Sequence, residues 1–173
     1  MDIDSQHIMI DLETMGISCI SAIVSIGAVQ FSLNGQVKDL YHVGVDLRSC
    51  VSVGMDLDSE TVLWWLKQSK INQDRLLALQ TISLQKAITG LFNSFNGLDK
   101  YKTYLWSHGS NFDTVIIENA CRLVGIPIWW KYSNVRDTRT LFDVYNYKYT
   151  AKGGHDALED ARNQAEAVIA ACS

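Results

Sequence analysis

Three apolar-rich segments at the start of the chain constrain its fold more than any other feature. The segments from His7 to Leu12, from Ile20 to Leu33 and from Asp39 to Leu47 are short and typical of β-strands. Asn34-Gly35, between the second and third segments, is a dipeptide that favours a tight hairpin turn. Because consecutive strands with short connections pair with one another, the sequence predicts a three-stranded antiparallel meander.

Helical patterns dominate the remainder of the chain and alternate with short strands. The segment from Ser83 to Phe95 is amphipathic, and the segment from Phe112 to Val124 ends at Gly125, a typical helix stop. This order predicts one α/β domain over residues 1–173, in which helices flank a mixed sheet of the meander and further parallel strands. The other predicted strands are 104–106 and one starting at 135, and the other predicted helices are 58–68, 72–79, 138–145 and 157–171.

Composition and the absence of targeting patterns bear on the cellular location of the protein. Hydrophobic residues make up 47% of the sequence, which is typical of compact globular domains. The N-terminus has no signal-peptide pattern, and the longest apolar-rich run is shorter than the roughly 20 residues of a membrane helix. The 4 cysteines are scattered, so they are predicted to be reduced. Together these features predict a cytoplasmic protein that does not contact membranes.

Five side chains with acid–base or metal-binding chemistry lie in three short signatures. Asp11 and Glu13 are two residues apart at the end of a predicted strand, so both lie on one face of the sheet. Asp113 opens a predicted helix, and His155 precedes Asp160 at the start of the last helix. Carboxylate oxygens suit hard cations such as Mg²⁺ or Mn²⁺, and a neutral imidazole can accept a proton from water. Each feature alone is common in structural roles, and the combination is what indicates chemistry.

The order of these signatures is similar to that of the DEDDh family of 3′→5′ exonucleases, which have a ribonuclease H-like fold. The matching segments are Asp11 to Thr14, His108 to Asp113, and His155 to Ala161. Within the family, the chain resembles compact enzymes of phages and prophages and a related bacterial exoribonuclease group. The segments that suggest this subgroup are Asp11 to Gly16, Ile23 to Val29 and Thr61 to Leu66.

The resemblance implies a role for each residue of the site. Two divalent cations, Mg²⁺ or Mn²⁺, are expected, with Asp11 bridging both, Glu13 and Asp160 on the first, and Asp113 on the second. His155 is expected to be the general base for the attacking water. The implied reaction is hydrolysis of single-stranded nucleic acid from the 3′ end, which releases 5′-mononucleotides through a two-metal mechanism.

The resemblance also implies residues that contact the 3′-terminal nucleotide. These are Leu12, Thr14 and Met15, whose alternative role is packing in the core. His108 and Trp65 are added as substrate-binding residues. Trp64 and Trp65 are adjacent on a helix and point about 100° apart, so one can be buried while the other stacks on a base. The alternative is that both tryptophans are packing residues.

Two further aromatic groups are candidates for contacts with partners. Trp129-Trp130 follows Pro127 and could form an edge or a homodimer contact. Between Lys131 and Lys152, tyrosines alternate with an excess of basic residues, a composition found in single-strand grooves and also in ordinary surface coil. The net charge of −4 argues against a polyanionic ligand, but two bound divalent cations would neutralise it.

Some alternatives stay open at the level of sequence. Many DEDDh members have Asn-Ala where this chain has Gly109-Ser110, which puts contacts around the terminal nucleotide in doubt. An inactive or weak nucleic-acid-binding subunit of the same fold is the principal alternative to an enzyme, and an internally cleaving nuclease is a second. DNA is slightly favoured over RNA, on the phage-like resemblance alone.

Overall fold

The computed structural model describes residues 6–152 and 154–173, apart from the side chain of Asp39. Among these residues the strands form one six-stranded mixed sheet in the order β4-β3-β2-β1-β5-β6. β1–β2 and β2–β3 are antiparallel, whereas β1–β5, β5–β6 and β3–β4 are parallel. The predicted meander and mixed α/β sheet are therefore confirmed. The strands are β1 (Gln6–Thr14), β2 (Ile23–Phe31), β3 (Val37–Val45), β4 (Thr81–Ile82), β5 (Thr103–Ser107) and β6 (Val135–Asp137).

Seven α-helices of the described residues flank the sheet. They are α1 (Leu47–Ser52), α2 (Ser59–Leu66), α3 (Lys70–Ala78), α4 (Leu84–Ser94), α5 (Asp113–Val124), α6 (Thr138–Val144) and α7 (Ala157–Cys172). The carboxylates of Asp58 and Asp156 cap α2 and α7 by accepting backbone N–H groups of the first turn. α1 and β4 were not predicted. The third segment was predicted to be a strand through Leu47, but α1 begins there because Asp46 caps it.

The side chains of β1 alternate between the two faces of the sheet. Ile8, Ile10 and Leu12 pack against α4 and α5. Met9 packs on the opposite face, against α6 and α7. Because the alternation has a period of two, Asp11 and Glu13 continue the face that α7 covers.

Gly27 brings α7 close to the sheet at the level of these carboxylates. In the β1–β2 register Gly27 lies opposite Asp11. A Cβ atom at Gly27 would lie 2.2 Å from the backbone carbonyl of Ala157, the first residue of α7. The first turn of α7 therefore lies directly on β2, and this contact sets the position of Asp160 one turn further along.

In the part of the chain that the structure describes, no helix has the length and apolar character needed to cross a membrane. The four cysteines are free, with Cys50 and Cys121 buried and Cys19 exposed.

Candidate active site

Three of the predicted metal ligands form a compact group of carboxylates. Asp11, Glu13 and Asp160 each offer an oxygen, and these atoms lie within 4.8 Å of one another. Asp113 is beside the group, because its Oδ1 accepts the backbone N–H of Leu12 at 3.2 Å. The structure thus brings together all four carboxylates that the sequence analysis singled out.

Burial and mutual repulsion make these carboxylates difficult to ionise together. Burial, followed by the nearby charges of Asp113 and Glu13, raises the pKa of Asp11 well above its usual value. Burial, followed by the charge of Asp160, raises the pKa of Glu13 to about 8. Burial also raises the pKa of Asp113 to about 7 and, to a lesser extent, the pKa of Asp160.

The donor set fits divalent cations. All four groups offer oxygen, and a hard cation such as Mg²⁺ or Mn²⁺ prefers oxygen ligands. A cation among them would replace repulsion with attraction and would favour the ionised carboxylates. Clustered acids with strongly raised pKa values at the edge of a cavity are typical of functional sites.

Gln164 is part of the site and was missed in the sequence analysis. Its Nε2 donates to Asp11 Oδ1 at 2.7 Å, and its side chain is buried. The signal was present in the sequence, since Gln164 follows Asp160 by four residues and therefore lies on the same face of α7. Its hydrogen bond holds one oxygen of Asp11 and fixes the orientation of that carboxylate.

His155 lies against two tryptophans. Its ring centroid is 4.9 Å from that of Trp64 and 5.7 Å from that of Trp65, both edge to face. The backbone of His155 is in the left-handed region, with φ of 50°. Its charge acts on Asp160, whose pKa it lowers against the larger effect of burial. The imidazole is therefore positioned by aromatic contacts with α2.

An open cavity of about 610 Å³ adjoins the carboxylates. Trp65 is only 5% exposed and donates its Nε1–H to the carbonyl of Thr14, whereas Trp64 is 42% exposed. The expectation that one tryptophan is buried is therefore confirmed, and the ring free to stack on a ligand is Trp64 rather than Trp65. The cavity is lined by Leu12, Glu13, Thr14, Gly16, Ile17, Asp58, Glu60, Thr61, Trp64, Trp65, Lys67 and Phe112.

Met15 and His108 do not line this cavity. The backbone N–H of Met15 donates to the carbonyl of Ala22 at 2.9 Å, so this amide is not free for a substrate hydroxyl. Its side chain lines a smaller apolar cavity of about 170 Å³ on another side of Trp65. His108 forms a hydrogen bond between its Nδ1 and Thr138 Oγ1 at 2.7 Å. These contacts give both residues structural roles that compete with the predicted contacts to the terminal nucleotide.

The segment that starts the second signature, residues 108–110, contacts the residues at the start of α6. The hydroxyl of Thr138 contacts His108, and the carboxylate of Asp137 accepts the backbone N–H of Ser110. The guanidinium of Arg139 lies 3.1 Å from the position that a Cβ of Gly109 would occupy. The departure from the family pattern at Gly109-Ser110 is thus matched by a specific set of contacts from 137–139.

The other aromatic candidates are mostly part of the core. Trp130 is 5% exposed and donates to Glu118, and Trp129 packs on Phe95. The pair therefore gives no support to a homodimer, which stays a prediction. The tyrosines of 132–149 are divided: Tyr132 and Tyr145 are exposed, whereas Tyr147 and Tyr149 pack on Phe142.

Comparison with known proteins identifies the family. The model of the 3′-5′ exoribonuclease Rv2179c-like domain matches residues 6–172. Because this match covers nearly the whole chain, the chain belongs to that family. Among curated proteins, no sequence match is found.

Solved structures share the fold. The chain is 14% identical to exonuclease I of Methylocaldum szegediense, with a TM-score of 0.68 over 97% of this chain and 40% of that one. Exonuclease I of E. coli in complex with a dA16 oligonucleotide gives 13% identity, with a TM-score of 0.65 over 95% and 41%. The nuclease domain of 3′hExo, a DEDDh family member bound to rAMP, gives 14% identity, with a TM-score of 0.58 over 96% and 90%. The chain thus spans about two fifths of the exonuclease I chains and nearly all of the 3′hExo domain.

Proposed function

We propose that this chain hydrolyses single-stranded nucleic acid from the 3′ end and releases 5′-mononucleotides. The observation that carries the proposal is the carboxylate group of Asp11, Glu13 and Asp160, with Asp113 beside it, at the edge of an open cavity. At about 610 Å³ the cavity lies in the size range of ligand sites, so it can hold a terminal nucleotide. The scissile phosphate would then lie at the carboxylates.

The carboxylates would hold two divalent cations, Mg²⁺ or Mn²⁺. Asp11, Glu13 and Asp160 would hold one, and Asp113 with Asp11 would hold the other. Such cations supply charge stabilisation for the phosphate and lower the pKa of water. Gln164 keeps the Asp11 carboxylate in one orientation throughout.

His155 would take the proton of the attacking water on a ring nitrogen. Its edge-to-face contacts with Trp64 and Trp65 define the plane of the imidazole. The same tryptophans line the cavity, so occupancy of the cavity by a base would also cover the imidazole and exclude bulk water. This arrangement links binding of the terminal nucleotide to the position of the base.

Trp64 would stack on the terminal base, a contact worth about 1–3 kcal/mol. Leu12 and Thr14 would form the wall beside its sugar, and Trp65 would support that wall through its bond to the Thr14 carbonyl. Stacking is tolerant of base identity, so little sequence preference is expected at the 3′ end.

RNA is proposed as the preferred substrate. The family is described as an exoribonuclease domain, which outweighs the slight preference for DNA that rested on phage-like resemblance. The 2′-hydroxyl is the group that a site can use to separate the two sugars. Initial rates on RNA and DNA strands of one sequence test this point, and equal or faster rates on DNA would contradict it.

Product analysis tests the proposed reaction. With Mg²⁺ or Mn²⁺, a 3′-labelled single strand is expected to give a labelled mononucleotide as its first product, while a 5′-labelled strand shortens one nucleotide at a time. His155→Ala is expected to remove turnover without unfolding the protein, because the ring is only partly buried and packs against the two tryptophans that line the cavity. Internal fragments, or binding without cleavage, would refute the proposal and favour an endonuclease or an inactive binding subunit.

A further inference from the structure

The side chain of Arg139 occupies space that only a glycine at position 109 leaves open. Its Nη1 and Cζ lie 3.1 and 3.4 Å from the position that a Cβ of Gly109 would take. Gly109 has φ of 114°, a conformation that side-chain-bearing residues rarely adopt. The turn after β5 therefore leaves room for a guanidinium that begins 30 residues further along the chain, at the start of α6.

This guanidinium is exposed and has no acceptor of its own among residues 6–152 and 154–173 as described. The nearest acidic residue in sequence, Asp137, is already engaged, because its carboxylate accepts the backbone N–H groups of Ser110 and Thr140. Arg136, three residues before, differs in that it donates to two backbone carbonyls and lies over the ring of Tyr104. An exposed arginine whose guanidinium donors are not engaged can bind an anion.

The position of Arg139 relative to the carboxylates indicates which anion it would bind. The cavity lies toward α2, on one side of the carboxylates. Arg139 lies at the start of α6, after β6, and its guanidinium is next to Gly109 in the turn that leads to Asp113. A strand whose terminal nucleotide fills the cavity would pass the carboxylates and then meet Arg139.

We propose that Arg139 binds a backbone phosphate of the substrate on the 5′ side of the scissile bond. The inference rests on the proposed function, because it needs the terminal nucleotide in the cavity. It gives a role to the Gly109 departure from the family pattern: the missing side chain admits a phosphate-binding arginine. It also explains how an acidic site retains a polyanion, since Arg139 supplies a positive charge next to the turn that leads to Asp113.

Neutral phosphate analogues test the contact. A set of RNA hexamers would each carry one methylphosphonate, at the second, third or fourth linkage from the 3′ end, so that the scissile linkage stays unmodified. For the wild-type protein, one of these positions is expected to lower kcat/KM for release of the first nucleotide about tenfold, the effect of losing one charge-assisted hydrogen bond. For Arg139→Gln, the unmodified hexamer is expected to be cleaved about tenfold more slowly, and that methylphosphonate is expected to cause no further loss.

Arg122→Gln is the matched control. Arg122 is an exposed arginine near the opposite end of α5, roughly 14 Å along the helix from Asp113. The substitution Arg122→Gln removes the same charge as Arg139→Gln, and it is expected to leave the rate on every hexamer unchanged. Binding that loses one phosphate contact depends less steeply on salt. Arg139→Gln should therefore reduce the steepness of log kcat/KM against log salt by about one, and Arg122→Gln should leave it unchanged.

The outcomes separate the two proposals. Wild-type rates for Arg139→Gln on the unmodified hexamer, or equal losses for both proteins at every methylphosphonate position, would overturn the role of Arg139 while the exonuclease proposal stands. Equal losses at every position are also the signature of a purely structural arginine. Failure of the wild-type protein to release a 3′ mononucleotide from the unmodified hexamer would instead overturn the proposed function itself.

Discussion

The two faces of the central sheet both bury apolar side chains, but they differ at the end of β1, where the site lies. On the face covered by α4 and α5, the residues of β1 are Ile8, Ile10 and Leu12, and their neighbours are large apolar side chains. On the face covered by α7, the same strand carries Asp11 and Glu13 beyond Met9, opposite a helix rich in buried alanine. Because alanine and Gly27 have little bulk, α7 lies close to the sheet and delivers Asp160 and its neighbours to the strand.

This difference between the faces implies that the α4–α5 face mainly contributes stability and that the carboxylate end of the α7 face contributes the chemistry. The α4–α5 face buries large side chains, whose removal leaves cavities and costs stability. The α7 face buries carboxylates, which repel one another. This repulsion destabilises the metal-free protein and favours binding of a cation. Substitutions on the first face should therefore change unfolding, and substitutions on the second should change metal binding and turnover.

Asp11→Asn should give the largest effect on function. It keeps the volume of the side chain but removes a bridging charge, so kcat is expected to fall on the order of 10³-fold or more. The free energy of unfolding of the metal-free protein should be unchanged or higher, because one repelling charge is gone. Single-turnover rates and urea unfolding measure the two quantities.

Leu91→Ala is the matching change on the other face. Leu91 is fully buried on α4, so its truncation should cost about 2–5 kcal/mol of stability. The protein that stays folded should keep its kcat. A large loss of kcat here, or of stability in Asp11→Asn, would remove the distinction between the faces.

Gly27→Ala should affect both properties, because it acts where α7 meets the sheet. The new Cβ would overlap the backbone of Ala157, so α7 must move, at an expected cost of about 3 kcal/mol. Asp160 moves with the helix, so affinity for Mn²⁺ should fall at least about tenfold, whereas Leu91→Ala should not change it. Unchanged Mn²⁺ affinity in the Gly27 variant would show that the close approach of α7 does not position the site.

His7 extends the polar character of the α7 face to the other end of β1. Its Nδ1 accepts the indole N–H of Trp106 at 2.9 Å. Burial, with a smaller effect of the Arg136 charge, lowers the pKa of His7 from 6.5 to about 4. Between these values the unfolded chain binds a proton that the folded chain does not, so stability is present above pH 6.5 and is lost as the pH falls toward 4.

His7→Asn should remove this pH dependence while it keeps an acceptor for Trp106. Between pH 7 and pH 4 the wild-type protein is expected to lose about 2–3 kcal/mol more stability than the variant, from a shift of this size. Urea unfolding at the two pH values measures the difference. Parallel pH profiles for the two proteins would show that His7 does not titrate differently on folding.

Gln164→Leu should have the smallest of these effects, and it tests whether α7 also orients Asp11. The hydrogen bond to Asp11 would be lost with little change of volume, and loss of a group that orients a metal ligand lowers affinity about 10-fold or more. Asn163→Leu, at the adjacent buried amide of the same helix, is the control and should leave Mn²⁺ affinity unchanged. Equal affinities in wild type and Gln164→Leu would indicate that Asp11 needs no orientation.

Local patterns were sufficient to predict most of the fold and the central part of the site. The meander, α5 and α7 were predictable because periodicity and helix stops are properties of short segments. The carboxylates were predictable because their combination, in an order similar to that of the DEDDh family, indicates metal chemistry, although each one alone is common in structural roles. Gln164 could have been found from its spacing to Asp160.

Contacts between distant segments could not be predicted in this way. α1 and β4 are 6 and 2 residues long, too short for a periodic signal. Trp129 and Trp130 follow a proline and resemble loop residues, yet Trp130 is buried against Phe92, and Trp129 is partly buried against Phe95. The approach of Arg139 to Gly109 depends on β5 and β6 lying side by side, which no local pattern contains.

Calorimetric titration of the metal-free protein with Mn²⁺ tests the central claim most directly. We expect about two Mn²⁺ ions to bind per chain, in keeping with a two-metal site, and binding to be markedly weaker in Asp11→Asn. Arg122→Gln should bind as the wild type does. Absence of Mn²⁺ binding, or equal binding by wild type and Asp11→Asn, would contradict the assignment of the α7 face as the metal centre.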